Sequence, residues 1–386
     1  MALSKIDVAN MLTGIVPNDN SIRRPSSKPI IINGDMAVSQ RSTSASSISA
    51  AGYHAVDRIR YSNSSSAVVV TISQETLSSG NAFLNGFHNA LKIDCTTADT
   101  SIASGHLTAM QYKLEAQDCT VFRKGTANAK KMTVAFWFKA TKTGTYILQI
   151  GDSDNSRKIS KAYTVSTTNT WEHKVLAFDI ETSNAMNDDN GAGFVLTWWL
   201  VAGSDYSGGT LATSWEATEF DSNSAAGQVN AFDSTSNNVH ITGIQAEVGE
   251  FSSTTLPPFQ FEDFGDNLAR CQRYFYILGG TTDTQKRLSV NFCNPSNRNQ
   301  TLGLHHLPVP MRTAQTVTIP SASDFAVGHL GGSNACSSVT INNDGALPNN
   351  ALLSCLAITG SNASTDCVML EMTYASTNTM EVSAEL

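Results

Sequence analysis

The chain has 386 residues, 41% of them hydrophobic and only 15% charged, and its 25 basic and 33 acidic side chains leave a net charge of -8. This length allows two or three domains, each able to hold its own core. No run of like charges is present, so the chain is poorly suited to neutralising a phosphate backbone and nucleic acid is not expected as a partner. The opening MALSKIDVANML has one early Lys and no apolar stretch of signal-peptide length, and nowhere do about 18 apolar residues follow one another. Neither export by such a leader nor membrane insertion is expected. Seven cysteines (Cys95, Cys119, Cys271, Cys293, Cys336, Cys355, Cys367) are odd in number, widely spaced and without a C-x-x-C pair. They read as buried free thiols of a protein made in a reducing cytoplasm.

In chain order, Ser4 followed by Asp7, with Ile6, Val8, Met11 and Leu12, predicts a short capped helix, and Pro17, Pro25 and Pro29 then hold an extended linker. A helix this short needs a partner surface, so residues 1–30 read as an attachment segment. From residue 31 to 265 strand follows strand. Met132, Val134, Phe136 and Phe138 share one face, and Lys131, Thr133, Ala135 and Trp137 the other. Segments 146–150, 171–180, 194–201 and 239–248 behave similarly, separated by polar loops such as GDSDNSR. This predicts an antiparallel β-sandwich. A boundary follows Pro257-Pro258, a single turn is expected at residues 266–270, and a second, smaller β-sandwich domain occupies residues 266–386. Its signals are the alternation of Leu288, Val290 and Phe292, of Val317 and Ile319, and of Val368, Leu370, Met372 and Tyr374. Neither a fixed-period repeat nor a heptad run is present.

Four stretches in this order carry a family resemblance: INGDMAVSQRSTS; KKMTVAFWFKATKTGTYILQI followed by TWEHKVLAFDI; ITGIQAEVGEFSSTTLPPFQF; and LARCQRYFY with LPVPMRTAQTVTIP. Together they resemble bacteriophage tail-fibre and virion appendage proteins with a carbohydrate-binding-module-like jelly roll. In that family INGDMAVSQR starts the sandwich as its first strand, Trp171 is a scaffold position, and the Pro-Phe exit closes the domain. The segment SKIDVANMLTGIVP is similar to the start of fibre proteins that dock on the particle. The resemblance implies a jelly roll over residues 31–265, a place in the virion, and a homotrimer. It also implies contact with other virion structural proteins through residues 1–30 and attachment to the host surface; a host-surface glycan as partner is an expectation that rests on a few aromatic side chains. A capsid-associated head fibre is the alternative location, and a glycan-cleaving tailspike a lesser one.

Motifs for catalysis are absent: there is no G-x-S-x-G, no H-E-x-x-H and no phosphate-binding loop. His305-His306 cannot close on one metal ion, because neighbours on a strand face opposite ways. Asp152-Ser153-Asp154-Asn155 lacks the Gly and Glu of a calcium loop and reads as a hairpin tip. Glu172, Asp179, Glu181, Asp188 and Asp189 give no sign of two carboxylates about 5–10 Å apart across a cleft. No cofactor, metal or enzymatic activity is therefore expected. Binding a sugar requires exposed aromatic rings, since pyranose C–H faces stack on them. The candidates are Trp137, opposite the Phe136 face; Trp199, which must point away from the inward Trp198; Trp215, after a Gly-Gly loop; and Tyr206. Each competes with a packing role, because large aromatic residues are mostly buried.

Overall fold

The computed structural model describes residues 28–278, 285–294, 297–329, 332–342, 351–358, 367–373 and 379–386. The attachment segment read over residues 1–30 lies outside them, save its last three residues. The described chain is all-β with antiparallel pairing and divides into two compact units, one running to Ala37 and over Ser42–Asp263, the other made of Val38–Arg41 and Phe264–Leu386.

The first unit is a jelly-roll sandwich. Its strands are β1 (Ser44–Ile48), β2 (Gly52–Tyr53), β3 (Ile59–Ser64), β4 (Val69–Thr76), β5 (Asn89–Thr97), β6 (Leu107–Glu115), β7 (Met132–Ala140), β8 (Gly144–Asp152), β9 (Arg157–Val165), β10 (Glu172–Phe178), β11 (Ala192–Ala202), β12 (Glu216–Ala217) and β13 (Asn238–Val248). One sheet has the order β1-β4-β5-β13-β7-β10 and the other β12-β9-β8-β11-β6-β3-β2. Alternation sends Met132, Val134, Phe136 and Phe138 of the first sheet and Phe194, Leu196, Trp198 and Leu200 of the second into one shared core. There the Phe136 and Trp198 rings meet edge to face, 5.6 Å between centroids at 90°, so the two sheets are joined by aromatic contact as well as apolar burial.

INGDMAVSQR is not a first strand; β1 begins only at Ser44. Asn33 and Met36 have φ of 59° and 60°, values incompatible with extended pairing, and Met36 N–H closes a turn on the Asn33 carbonyl. The turn docks through Gly34, whose carbonyl accepts the Ile244 N–H at 2.9 Å, while a Cβ at Gly34 would fall 2.2 Å from the Ile244 carbonyl oxygen. Ile31 and Met36 are buried in the core on either side. Beyond it, Val38–Arg41 belongs to the second unit, where Arg41 lies 3.5 Å over the Phe275 ring and pairs with Glu385 at 3.2 Å.

The second unit opens with a nine-residue helix, Phe264–Gln272, where the sequence suggested a single turn. Asp266 in its first turn and Arg270 in its last complement the helix dipole, and Asn267 and Cys271, four apart, form its buried side. A three-stranded sheet has the order β14-β22-β17, with β14 (Phe275–Leu278), β17 (Thr316–Thr318) and β22 (Met380–Ser383). The remaining strands, β15 (Gln285–Asn294), β16 (Asn297–His306), β18 (Phe325–His329), β19 (Gly332–Asn342), β20 (Ala351–Ile358) and β21 (Cys367–Thr373), close into a barrel of order β15-β16-β20-β19-β18-β21. Its first and last strands in that order pair, from Gln285 opposite Thr373 to Phe292 opposite Cys367. The sandwich expected there is thus a closed barrel beside a small sheet. Period-two alternation is common to both architectures and does not distinguish them. No helix among the described residues is long and apolar enough to cross a membrane.

Candidate functional site

The two outer faces of the sandwich differ. On the seven-stranded sheet, alternation turns Trp199 outward, as expected, but the chain that follows β11 folds back over it. Tyr206 and Phe220 close on the indole at 5.4 and 6.0 Å, Leu211 and Ala225 complete the cover, and Trp199 Nε1 donates to Gln149 Oε1. Trp199 is 0% exposed. Trp199 offers no free ring face, whereas Tyr206, which covers it, is half-buried. Trp215 is also engaged: its indole lies 6.1 Å from Phe194, its Nε1 donates to the Asp179 carbonyl at 2.7 Å, and the Lys124 ammonium sits 5.5 Å over the ring. Of the four aromatic candidates, only Trp199 is fully buried; Trp137, Tyr206 and Trp215 are each half-buried.

Trp137 is placed differently. It projects from β7 onto the outer face of the six-stranded sheet, between Thr242 of β13 and His173 of β10. The His173 imidazole stacks on the indole, 4.8 Å between centroids with planes 21° apart. Among the described residues β10 is the edge strand of this sheet, and the His173 ring is exposed while Trp137 is half-buried. Burial lowers the His173 pKa from its ordinary value and so favours the neutral ring.

Sequence reasoning missed His173. Alternation does not give register across the three connections from β7 to β10, and only the β7–β10 pairing puts this residue opposite Trp137. The rest of the face is built by the β4–β5 connection. There the short helix Gly80–Leu84 and Phe87 pack with Trp171, Leu77 and Ala90 in a small apolar cluster against which Trp137, Phe83 and Phe259 lie. Trp171 is 5% exposed and is a scaffold residue.

Beside this cluster is a polar group. His240 Nδ1 lies 2.6 Å from Glu75 Oε2, and Lys139 lies 3.8 Å from that oxygen and 5.1 Å over the Trp171 ring. The hydrogen bond to His240 holds the Glu75 pKa below the usual carboxylate value, and burial lowers those of His240 and Lys139.

The acidic loops are internally satisfied. Glu172 accepts the Ser166 and Thr167 N–H groups and pairs with Lys174; Glu181 pairs with Arg157 and Lys124; Asp179 pairs with Lys131. Residues 152–155 form the β8–β9 hairpin tip, in which Asp152 accepts from Asn155 and binds Lys124. Among the described residues, no three His, Cys, Asp or Glu side chains gather as for a metal ion.

No protein-family model matches the sequence, and no curated protein does. Solved structures with similarity to it include the enzymatically active domain of tailspike protein 4 of bacteriophage CBA120. It is 10% identical with a TM-score of 0.28, over 57% of this chain and 21% of that one, so the chain spans about a fifth of the tailspike's length. A family 11 carbohydrate-binding module from Clostridium thermocellum is 9% identical with a TM-score of 0.26, over 50% of this chain and 91% of that one. The module TmCBM61, solved with β-1,4-galactotriose, is 9% identical with a TM-score of 0.27, over 57% of this chain and 99% of that one.

Proposed function

We propose that the sandwich unit binds a bacterial surface glycan on the outer face of its six-stranded sheet, and that the chain is a non-catalytic subunit of a phage appendage that attaches to the host. The observation that carries the binding reading is the His173–Trp137 stack. It is a pair of flat rings, one exposed and one half-exposed, at the edge of a rigid sheet. Sugars stack their C–H faces on such rings, and a strand-borne platform holds them without an ordering cost. The virion role rests on the sequence resemblance over residues 1–320, as do the trimer and the docking role of residues 1–30. The absence of catalysis rests on the missing motifs and on carboxylates that are already paired.

Binding of the purified chain to an array of bacterial surface polysaccharides tests this. The wild type should retain one or more of them, Trp137→Ala and His173→Ala should lose that retention while keeping the wild-type melting profile, and Trp215→Phe should behave as wild type. Retention unaffected by either substitution at the platform would refute the site. For the virion role, a label at the C-terminus should appear on an external appendage in images of the particle; label absent from particles would refute it.

A further inference from the structure

Three charged side chains from separate segments of the sandwich unit meet almost out of reach of solvent. Lys124 Nζ lies 2.7 Å from Asp152 Oδ2 and 2.9 Å from Glu181 Oε1, and it also donates to the Asn184 carbonyl. The side chains of Lys124, Asp152 and Glu181 are 1%, 0% and 10% exposed. Aromatic rings wall the site: Nζ sits 5.5 Å over Trp215, Phe194 lies 6.1 Å from Trp215, and the buried Phe122 lies 5.8 Å from Phe194.

The surrounding structure presets each of the three. Asp152 ends β8 and is paired with Phe194 of β11 on one side and with Arg157 of β9 on the other. Lys124 is placed by its neighbour, since the Gly125 N–H donates to the Glu181 carbonyl at 3.1 Å and a Cβ at Gly125 would fall 2.4 Å from Ala185 Cα. Arg157 Nε fixes the Glu181 carboxylate, 2.9 and 3.0 Å from its two oxygens.

An ammonium beside a carboxylate is one water molecule away from an amide. Enclosure favours that step, because the reacting groups are already in contact and the product relieves the cost of keeping two opposite charges out of water. The network pairs Lys124 and Arg157 with Asp152 and Glu181, so joining Lys124 to Asp152 removes one charge of each sign and leaves Arg157 and Glu181 matched. A donor for the developing oxyanion is in place too: the Asn155 N–H lies 3.2 Å from Asp152 Oδ1, while the Asn155 side-chain amide donates to Oδ2, the oxygen that must leave, at 2.9 Å.

We propose that Lys124 and Asp152 condense into an intramolecular amide, with Glu181 as the catalytic proton carrier. Glu181 draws a proton from the ammonium, and the freed lone pair on Nζ attacks the Asp152 carboxyl carbon, one bond beyond the oxygen that Nζ already contacts. The N–C bond forms, the bond from carbon to Oδ2 breaks, and Oδ2 departs as water. Of the three protons on Nζ one stays on the amide nitrogen and two leave in that water, so Glu181 ends as it began and no other reactant is consumed. The bond fastens the segment after the 3-10 turn Ala116–Phe122 to the end of β8. It closes residues 124–152 into a covalent ring that restricts the unfolded chain as a disulfide would, yet resists reductant. This brace is independent of the glycan platform, which lies on the other sheet.

The mass of the full chain, kept folded and then denatured for measurement, tests the proposal together with its tryptic map. The wild type should be lighter than its sequence by one water, and trypsin should release residues 124–130 and 143–157 as one linked species, since an acylated Lys124 is not cut. Lys124→Arg, which keeps the charge, and Glu181→Gln should stay at the full masses of their sequences, with circular dichroism like that of the wild type showing that both are folded. A wild type at its full mass, or a loss of water that maps within a single peptide, would overturn the proposal. A linked species formed as fast in Glu181→Gln would overturn the role of Glu181.

Discussion

The ammonium of Lys124 lies 2.7 Å from Asp152 Oδ2 with 1% and 0% of the two side chains exposed, and 2.9 Å from Glu181 Oε1. A positive charge so enclosed is tolerable only because its counter-charges are fixed beside it. It ties the segment after the 3-10 turn Ala116–Phe122 to the end of β8. Lys124→Met should therefore lower the unfolding free energy of the sandwich by about 3–5 kcal/mol, because Asp152 is left buried with its charge uncompensated. Urea denaturation measures this. Adding Asp152→Leu to Lys124→Met should recover part of the loss, since replacing a buried pair by apolar groups is far less costly than breaking it.

Acid should weaken the sandwich through the Glu75–His240 pair. The folded-state pKa of Glu75 is lowered, first by its hydrogen bond to His240, so its contribution is present above the unfolded value of 4.5 and is lost as pH falls through the folded value. The folded-state pKa of His240 is lowered too, first by burial and further by Lys139 and Lys92 against the pull of Glu75. The unfolded chain then binds more protons than the folded one just below pH 6.5, which again makes stability fall as pH falls. Both signs agree. The melting temperature should decline from pH 7 to pH 4, and His240→Gln should flatten the part of the curve near pH 6; a wild-type curve unchanged between pH 7 and pH 5 would show that His240 titrates alike in both states.

Gly34→Ala should destabilise the sandwich by about 1–3 kcal/mol, although the residue lies in a connector and not in a strand. The added methyl would collide with the Ile244 carbonyl, and relieving the clash breaks the Ile244 N–H bond to the Gly34 carbonyl. Thermal denaturation of Gly34→Ala beside Asp35→Ala, a neighbour in the same turn, separates the collision from general loosening of the turn.

This turn also marks what the sequence does and does not make legible. The strand faces were readable because burial on one side of a pleat writes itself as period two; Phe136, Phe138, Leu196 and Trp198 all reach the core as alternation demands. INGDM has similar alternation, but its backbone is decided by a contact with Ile244, more than two hundred positions away. Trp199 could be placed outward but not covered, because its cover, Tyr206, Leu211 and Phe220, lies in a loop whose return path no pattern specifies. The site was half legible. Trp137 stood out as an aromatic residue opposite the Phe136 face of its strand, whereas His173 becomes its partner only through the β7–β10 register. Closure of the second unit into a barrel was hidden for the same reason, since pairing of β15 with β21 is a matter of partners and not of alternation.

The central claim is that ligand meets the outer face of the six-stranded sheet at Trp137, and indole N–H spectroscopy addresses it residue by residue. The chain has five tryptophans, so five indole N–H signals can be assigned by single substitution and followed as a retained polysaccharide is added. The Trp137 signal should shift and saturate with the binding curve, while those of Trp198 and Trp199, buried beneath protein on every side, stay fixed. Saturable shifts confined to Trp215, with Trp137 unmoved, would place the ligand elsewhere and contradict the account.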